Sequence, residues 1–182
     1  MPEPTELRVV EAARRGDAAA LTALYEHFKQ DIFRFIFYRV HQRDAAADLT
    51  GDVFEQMIKA LPDYRPERPF AAWLFQIARH RVIDYWRQQQ MRQDGPLDEA
   101  LPDAAALPEQ QVAHQLTVER LVRALQYLNA DQCDVLLLRF VAGMHVATVA
   151  TTLDKSEGSV RMLQQRALEA LRTRLLLGEE MP

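Results

Sequence analysis

Apolar side chains recur along this chain at steps of three and four, with no convincing run of two-residue alternation. That is the spacing of helices that each bury one stripe. After Gly16, Asp17 is placed to cap a helix that carries Leu21, Leu24, Tyr25, Phe28, Ile32, Phe35 and Ile36 at those steps. A second helix is expected from about Asp44 to Leu61, where Pro62 ends it, with Leu49, Val53, Met57 and Leu61 toward the core. A third is expected from Phe70 to about Arg92, with Trp73, Leu74, Ile77 and Ala78 on one side. Farther on, the spacing predicts helices over 112–128, 130–142, 146–153 and 157–176. Asn129 with Gln132 has the form of a capping box, Gly143 of a C-cap, and Ser156 of an N-cap for the last helix. The fold class is all-α.

The periodicity lapses between 93 and 111. That segment holds Gly95, Pro96, Pro102 and Pro108, with five acids (Asp94, Asp98, Glu99, Asp103, Glu109) and no base. Prolines break helices, and one sign of charge with little apolar surface favours a solvated tether. The expectation is two small helical domains, 1–92 and 112–182, joined by a flexible acidic linker and moving independently unless a partner clamps them.

Composition narrows the function. The chain has 182 residues, a net charge of −4 and one cysteine, Cys133. A single cysteine excludes an internal disulfide framework and a cysteine-rich zinc site. The apolar runs, such as Val135-Leu136-Leu137-Leu138, fall far short of the ~20 residues that span a bilayer, and the acidic N-terminus lacks a signal-peptide layout. The chain is therefore read as intracellular. Arginines number 19 against 3 lysines, and the planar guanidinium pairs bidentately with phosphates and guanine edges.

No catalytic constellation emerges. The five histidines (27, 41, 80, 114, 145) are scattered, and there is no Gly-rich phosphate loop or nucleophile elbow. Neither metal nor cofactor is expected, and Cys133, inside an apolar helix, reads as an inert structural thiol. Three surfaces stand out instead. Asp48, Asp52 and Glu55 share one helix face, as either a solvated acidic face or a docking stripe for a basic partner. The proline-stiffened loop Tyr64–Phe70 leads into a helix whose side away from Trp73 and Leu74 carries Gln76, Arg79, His80, Ile83 and Arg87. That is either an ordinary exposed helix or a cradle for single-stranded nucleic acid, arginines on phosphates and bases stacked. The last helices have helix-turn-helix form, with Asp154-Lys155-Ser156 as the turn, Ser159, Arg161, Gln164 and Gln165 outward, and Val160, Leu163 and Leu168 inward. The choice is a plain helical bundle or a DNA reader.

Both halves together resemble the extracytoplasmic-function sigma factors, the minimal members of the sigma-70 family that keep regions 2 and 4. Asp-Leu-Thr-Gly-Asp-Val-Phe (48–54) is similar to the family's core-polymerase-binding helix, and residues 70–87, Phe-Ala-Ala-Trp-Leu-Phe-Gln-Ile-Ala-Arg-His-Arg-Val-Ile-Asp-Tyr-Trp-Arg, to its promoter-melting and −10-reading helix. Residues 128–140, Ser-Glu-Gly-Ser-Val-Arg (156–161) and Arg166-Ala167 resemble region 4. The resemblance implies a cytoplasmic, non-enzymatic transcription initiation factor. Asp48, Leu49, Asp52, Val53 and Glu55 would dock on the β′ clamp helices of core RNA polymerase. Tyr64, Arg65, Arg68, Gln76, Arg79, His80 and Arg87 would hold the −10 strand of promoter DNA. Ser156, Ser159, Arg161, Gln164, Gln165 and Arg166 would meet the −35 element, with region 4 on the β flap. The implied regulator is an anti-sigma factor, with no direct membrane insertion by this chain. Four residues depart from the family pattern: Gly51 where glutamine is common, Cys133 for a frequent arginine, and Met162-Leu163 for a polar or basic pair. The alternative is a stand-alone helix-turn-helix regulator whose first lobe dimerises or senses.

Overall fold

A computed structural model describes residues 4–93 and 120–177. The expected tether, from residue 94 on, and the beginning of the 112–128 helix lie outside the described residues. The first lobe consists of α1 (Pro4–Arg14), α2 (Ala18–Val40), α3 (Arg43–Ala60), a 3-10 turn at Leu61–Asp63, and α4 (Phe70–Gln93). The second consists of α5 (120–125), α6 (Ala130–Leu136) running into a single π turn at Leu137–Val141, α7 (Val146–Leu153) and α8 (Glu157–Leu177). Every described element is helical, as the 3.6-residue spacing requires.

The helix boundaries form through local bonds. Asp17 Oδ1 accepts from the Ala20 N–H at 3.0 Å, satisfying one of the donors that open α2. Asn129 and Gln132 exchange bonds at 2.9 and 3.1 Å, closing the capping box of α6. Ser156 Oγ accepts from the Ser159 N–H at 3.2 Å at the head of α8. α2 ends in a left-handed residue that is not glycine, His41 at φ 61.

The predicted 130–142 helix departs from regular α geometry at Leu137. There the Ala142 N–H reaches back five residues to the Leu137 carbonyl at 3.0 Å. α1 was not anticipated from the sequence. Its buried residues, Val10 and Ala13, form a stripe too short to stand out, yet they close the core over α2. Arg14 of α1 donates to the Pro62 carbonyl at 3.2 Å.

Ile32, Phe35, Met57, Phe70, Leu74 and Phe75 are almost wholly buried and form the centre of the first lobe, with Phe35 and Phe75 edge to face at 5.6 Å. Val135, Leu138, Val149, Val160 and Ala167 do the same in the second. The lobes also touch. α4 packs on α7, and α2 meets the π turn. The sequence alone leads to lobes that move independently; in the structure they are in direct contact, joined by charged side chains as described below.

Candidate nucleic-acid interface

On α3 the 3.6-residue period sends Asp48, Asp52 and Glu55 to solvent. Glu55 pairs with Lys59 one turn on, and that ammonium holds its carboxyl below the usual range. Gly51 lies on this exposed side, with open space where a Cβ would stand. Leu49 is half-buried. Val53 is completely buried, so its expected place on the docking surface is corrected: it supports the face from beneath.

The loop after the 3-10 turn is shaped by Tyr64. That residue was expected at the DNA, but it is 3% exposed, with its hydroxyl donating to the Arg68 carbonyl at 2.6 Å. Its ring packs on Trp73 and Phe70 at centroid distances of 5.1 and 5.5 Å. Tyr64 therefore sets the loop's path from inside, leaving Arg65 and Arg68 exposed at its surface. Along α4, His80 and Arg87 are exposed, and Gln76 is half-buried. Arg87 pairs with Asp84 at 3.3 Å. Arg81, not singled out from the sequence, braces α4 to α3 by donating to Gln56 Oε1 at 3.1 Å.

Arg79 is committed elsewhere. Its Nε donates to Asp134 Oδ2 at 2.8 Å and its Nη2 to Asp131 Oδ1 at 3.3 Å, both on α6 of the second lobe. Arg39, in the last turn of α2, ion-pairs with the other Asp134 oxygen at 3.0 Å. Lys155 of the α7–α8 turn holds Asp131 at 2.9 Å. Burial pushes the Asp134 carboxyl upward, while Arg39 and Arg79 pull it the other way. None of Arg39, Asp131, Asp134 and Lys155 was singled out from the sequence as chemistry-bearing. The available signal was an aspartate set directly against the run Val135-Leu136-Leu137-Leu138, where a side chain is expected to be buried.

The helix-turn-helix forms as predicted. Asp154 takes the left-handed conformation at φ 53, turning the chain between α7 and α8. On α8, Val160, Ala167 and Leu171 face inward. At ~100° per residue, Met162 and Gln165 lie nearly opposite them, with Arg161 and Arg166 on the two flanks. Met162, Gln165, Arg161, Arg166 and Ser159 are all exposed. Gln164 is instead half-buried, and its Oε1 accepts from Arg139 Nε of the π turn at 3.2 Å, so it braces the lobe rather than facing outward. Leu168, expected inward, is 43% exposed. Ser156 serves the cap already described. Cys133 is buried, which pushes its thiol up to about 11 and agrees with an inert role.

Comparison with known proteins fits this geometry. Residues 24–92 match the family description Sigma-70 region 2, and residues 124–173 match Sigma-70, region 4. The chain is 34% identical over 168 residues to the ECF RNA polymerase sigma factor BldN of Streptomyces coelicolor, with 91% of this chain covered but only 64% of that protein's length. It is 32% identical to SigX of Bacillus subtilis, an ECF RNA polymerase sigma factor, covering 87% of this chain and 85% of SigX. Identity to the ECF RNA polymerase sigma factor SigD of Mycobacterium tuberculosis is 34%, over 92% of this chain and 82% of SigD. Two solved structures share the fold. CnrH in complex with the cytosolic domain of CnrY gives a TM-score of 0.74 at 22% identity, covering 95% of this chain and 97% of that one. RpoE in complex with the anti-sigma factor NepR from Bartonella quintana gives 0.68 at 19%, covering 85% and 95%. This chain belongs to the ECF RNA polymerase sigma factors of the sigma-70 family.

Proposed function

We propose that the chain joins core RNA polymerase to promoters as a non-enzymatic specificity subunit in the cytoplasm, with functional units at 1–92 and 112–182. The observation that supports this best is the division of exposed faces between the lobes. One lobe carries the acidic side of α3 and the basic loop leading into α4. The other presents the outer face of α8 in a helix-turn-helix.

Asp48, Asp52 and Glu55, with Leu49 beside them, dock on the β′ clamp helices. Arg65, Arg68, His80 and Arg87 hold the backbone of the −10 strand, with Arg79 joining them once released. Ser159, Arg161, Gln165 and Arg166 meet the −35 element while the second lobe rests on the β flap. An anti-sigma domain is the regulator. The fold-level likeness to RpoE, solved in complex with the anti-sigma factor NepR, supports that reading.

Run-off transcription with core polymerase and a promoter library is the direct test. Transcripts whose start sites share a −35 and a −10 element are expected only when this chain is added. Duplex binding by the chain alone, with no stimulation of the polymerase, would refute the assignment in favour of a stand-alone regulator.

A further inference from the structure

Arg79 and Asp134 lie on different lobes, 55 residues apart in sequence, yet they meet at 2.8 Å. The Asp134 side chain is 1% exposed and is held between Arg79 and Arg39, the latter only 13% exposed. A carboxylate removed from water is strongly unfavourable unless it is paired, so Asp134 favours a single arrangement of the lobes, the one that brings both guanidiniums to it. Asp131 extends the cluster by holding Arg79 from one side and Lys155 from the other. A guanidinium offers the same fork to a carboxylate as to a phosphate.

We propose that the acidic pair Asp131 and Asp134 of the second lobe is an intramolecular interaction surface that occupies Arg79 in place of promoter DNA. The free chain is closed on itself, and nucleic acid must displace these carboxylates to use the full basic side of α4. This rests on the assignment of α4 to the −10 strand. His80 and Arg87 stay exposed in the closed form, so α4 keeps a weak foothold for nucleic acid while its central arginine is withheld.

The test uses the full chain with two readouts. Small-angle X-ray scattering reports separation of the lobes, and anisotropy of a labelled mixed-sequence single-stranded DNA reports affinity. Asp134→Asn should expand the particle. If the closed form is about 90–99% populated, the same change should tighten DNA binding about ten- to hundredfold. Asp131→Asn removes a partly exposed partner and should give about two- to fivefold. Glu26→Gln, the same charge change on an exposed α2 residue, should alter neither readout. Adding Arg79→Ala to Asp134→Asn should cancel most of the gain in affinity. If Asp134→Asn fails to fold by circular dichroism, Asp131→Asn combined with Arg39→Gln carries the same test. Unchanged scattering would overturn the closed state. Expansion without tighter binding would overturn the competition with DNA. Tightening that is indifferent to Arg79→Ala would instead sink the assignment of α4.

Discussion

Replacing each thymine of the −35 element in turn by deoxyuridine, which lacks the 5-methyl group, should weaken holoenzyme binding at one position, and Met162 should be the cause. Met162 is 52% exposed and lies roughly 160° around α8 from the buried Val160, so it faces outward in the first turns of the helix. Gly158, one turn earlier, adds no side chain of its own, and only Ser156 Oγ lies near its missing Cβ, at 3.9 Å. An apolar side chain at that place has no donor for a base edge but can cover a thymine methyl. Burying one methyl is worth about 0.8 kcal/mol, or roughly a factor of four in affinity. The flanking arginines supply a different term. Arg161 is paired with Glu157 at 2.7 Å, an exposed pair worth about 0.2–1 kcal/mol that must open or be shared. A base contact returns about 1–3 kcal/mol. Arg161→Ala should therefore cost about 1–2 kcal/mol net and relax preference at one position, whereas Arg166→Ala should weaken all sequences alike and lower the salt slope by about one. The assay is holoenzyme affinity on duplexes carrying single thymine-to-uracil changes, for the wild type and for Met162→Ala. Met162→Ala should abolish the roughly fourfold penalty. A penalty that survives the substitution, or no penalty at any thymine, would refute the placement of this face in the groove.

Charge reversal at Asp48 together with Asp52 should abolish co-purification with core polymerase and leave helicity unchanged, because both side chains are exposed and make no core contact; undiminished co-purification would remove α3 from the docking site. Ellman's reagent at pH 8 should label Cys133 roughly a hundredfold more slowly in the native chain than in the unfolded one, since burial raises the thiol to about 11; equal rates would show that the site opens readily. Burial and the nearby Arg39 push His41 below its ordinary value, so the unfolded chain takes up its proton first. Stability from this residue is thus full above about pH 6.5 and is lost as pH falls through the lower folded value. His41→Asn, which tolerates the left-handed backbone, should flatten the decline in urea-melt stability between about pH 7.5 and 5.5, and an unchanged pH slope would exclude His41 as its source.

Much of this protein was determined within a few residues of each position. Asp17, Asn129 with Gln132, and Ser156 cap helices through bonds that span three residues, and Pro62 ends α3, so sequence alone located those boundaries. The period of 3.6 likewise sent Asp48, Asp52, Glu55, Arg161 and Gln165 to solvent, because a helix core on one side dictates the other. Where a residue lay at the edge of a stripe, the pattern failed. Gln164 turned inward to Arg139, and Leu168 turned outward, since packing against α6 and the π turn decides such positions. Tyr64 was misplaced for a related reason: aromatic residues in a loop suit nucleic acid equally well by composition, and only Trp73 and Phe70 packing beside it made Tyr64 part of the core. The contact between the lobes was least legible of all. Arg79 had every local mark of a phosphate ligand, and Asp134 stood beside an apolar run with its partners, Arg39 and Arg79, far away in sequence. Their meeting depends on how α4 is placed against α6 and α7, an arrangement of whole helices that no local spacing encodes.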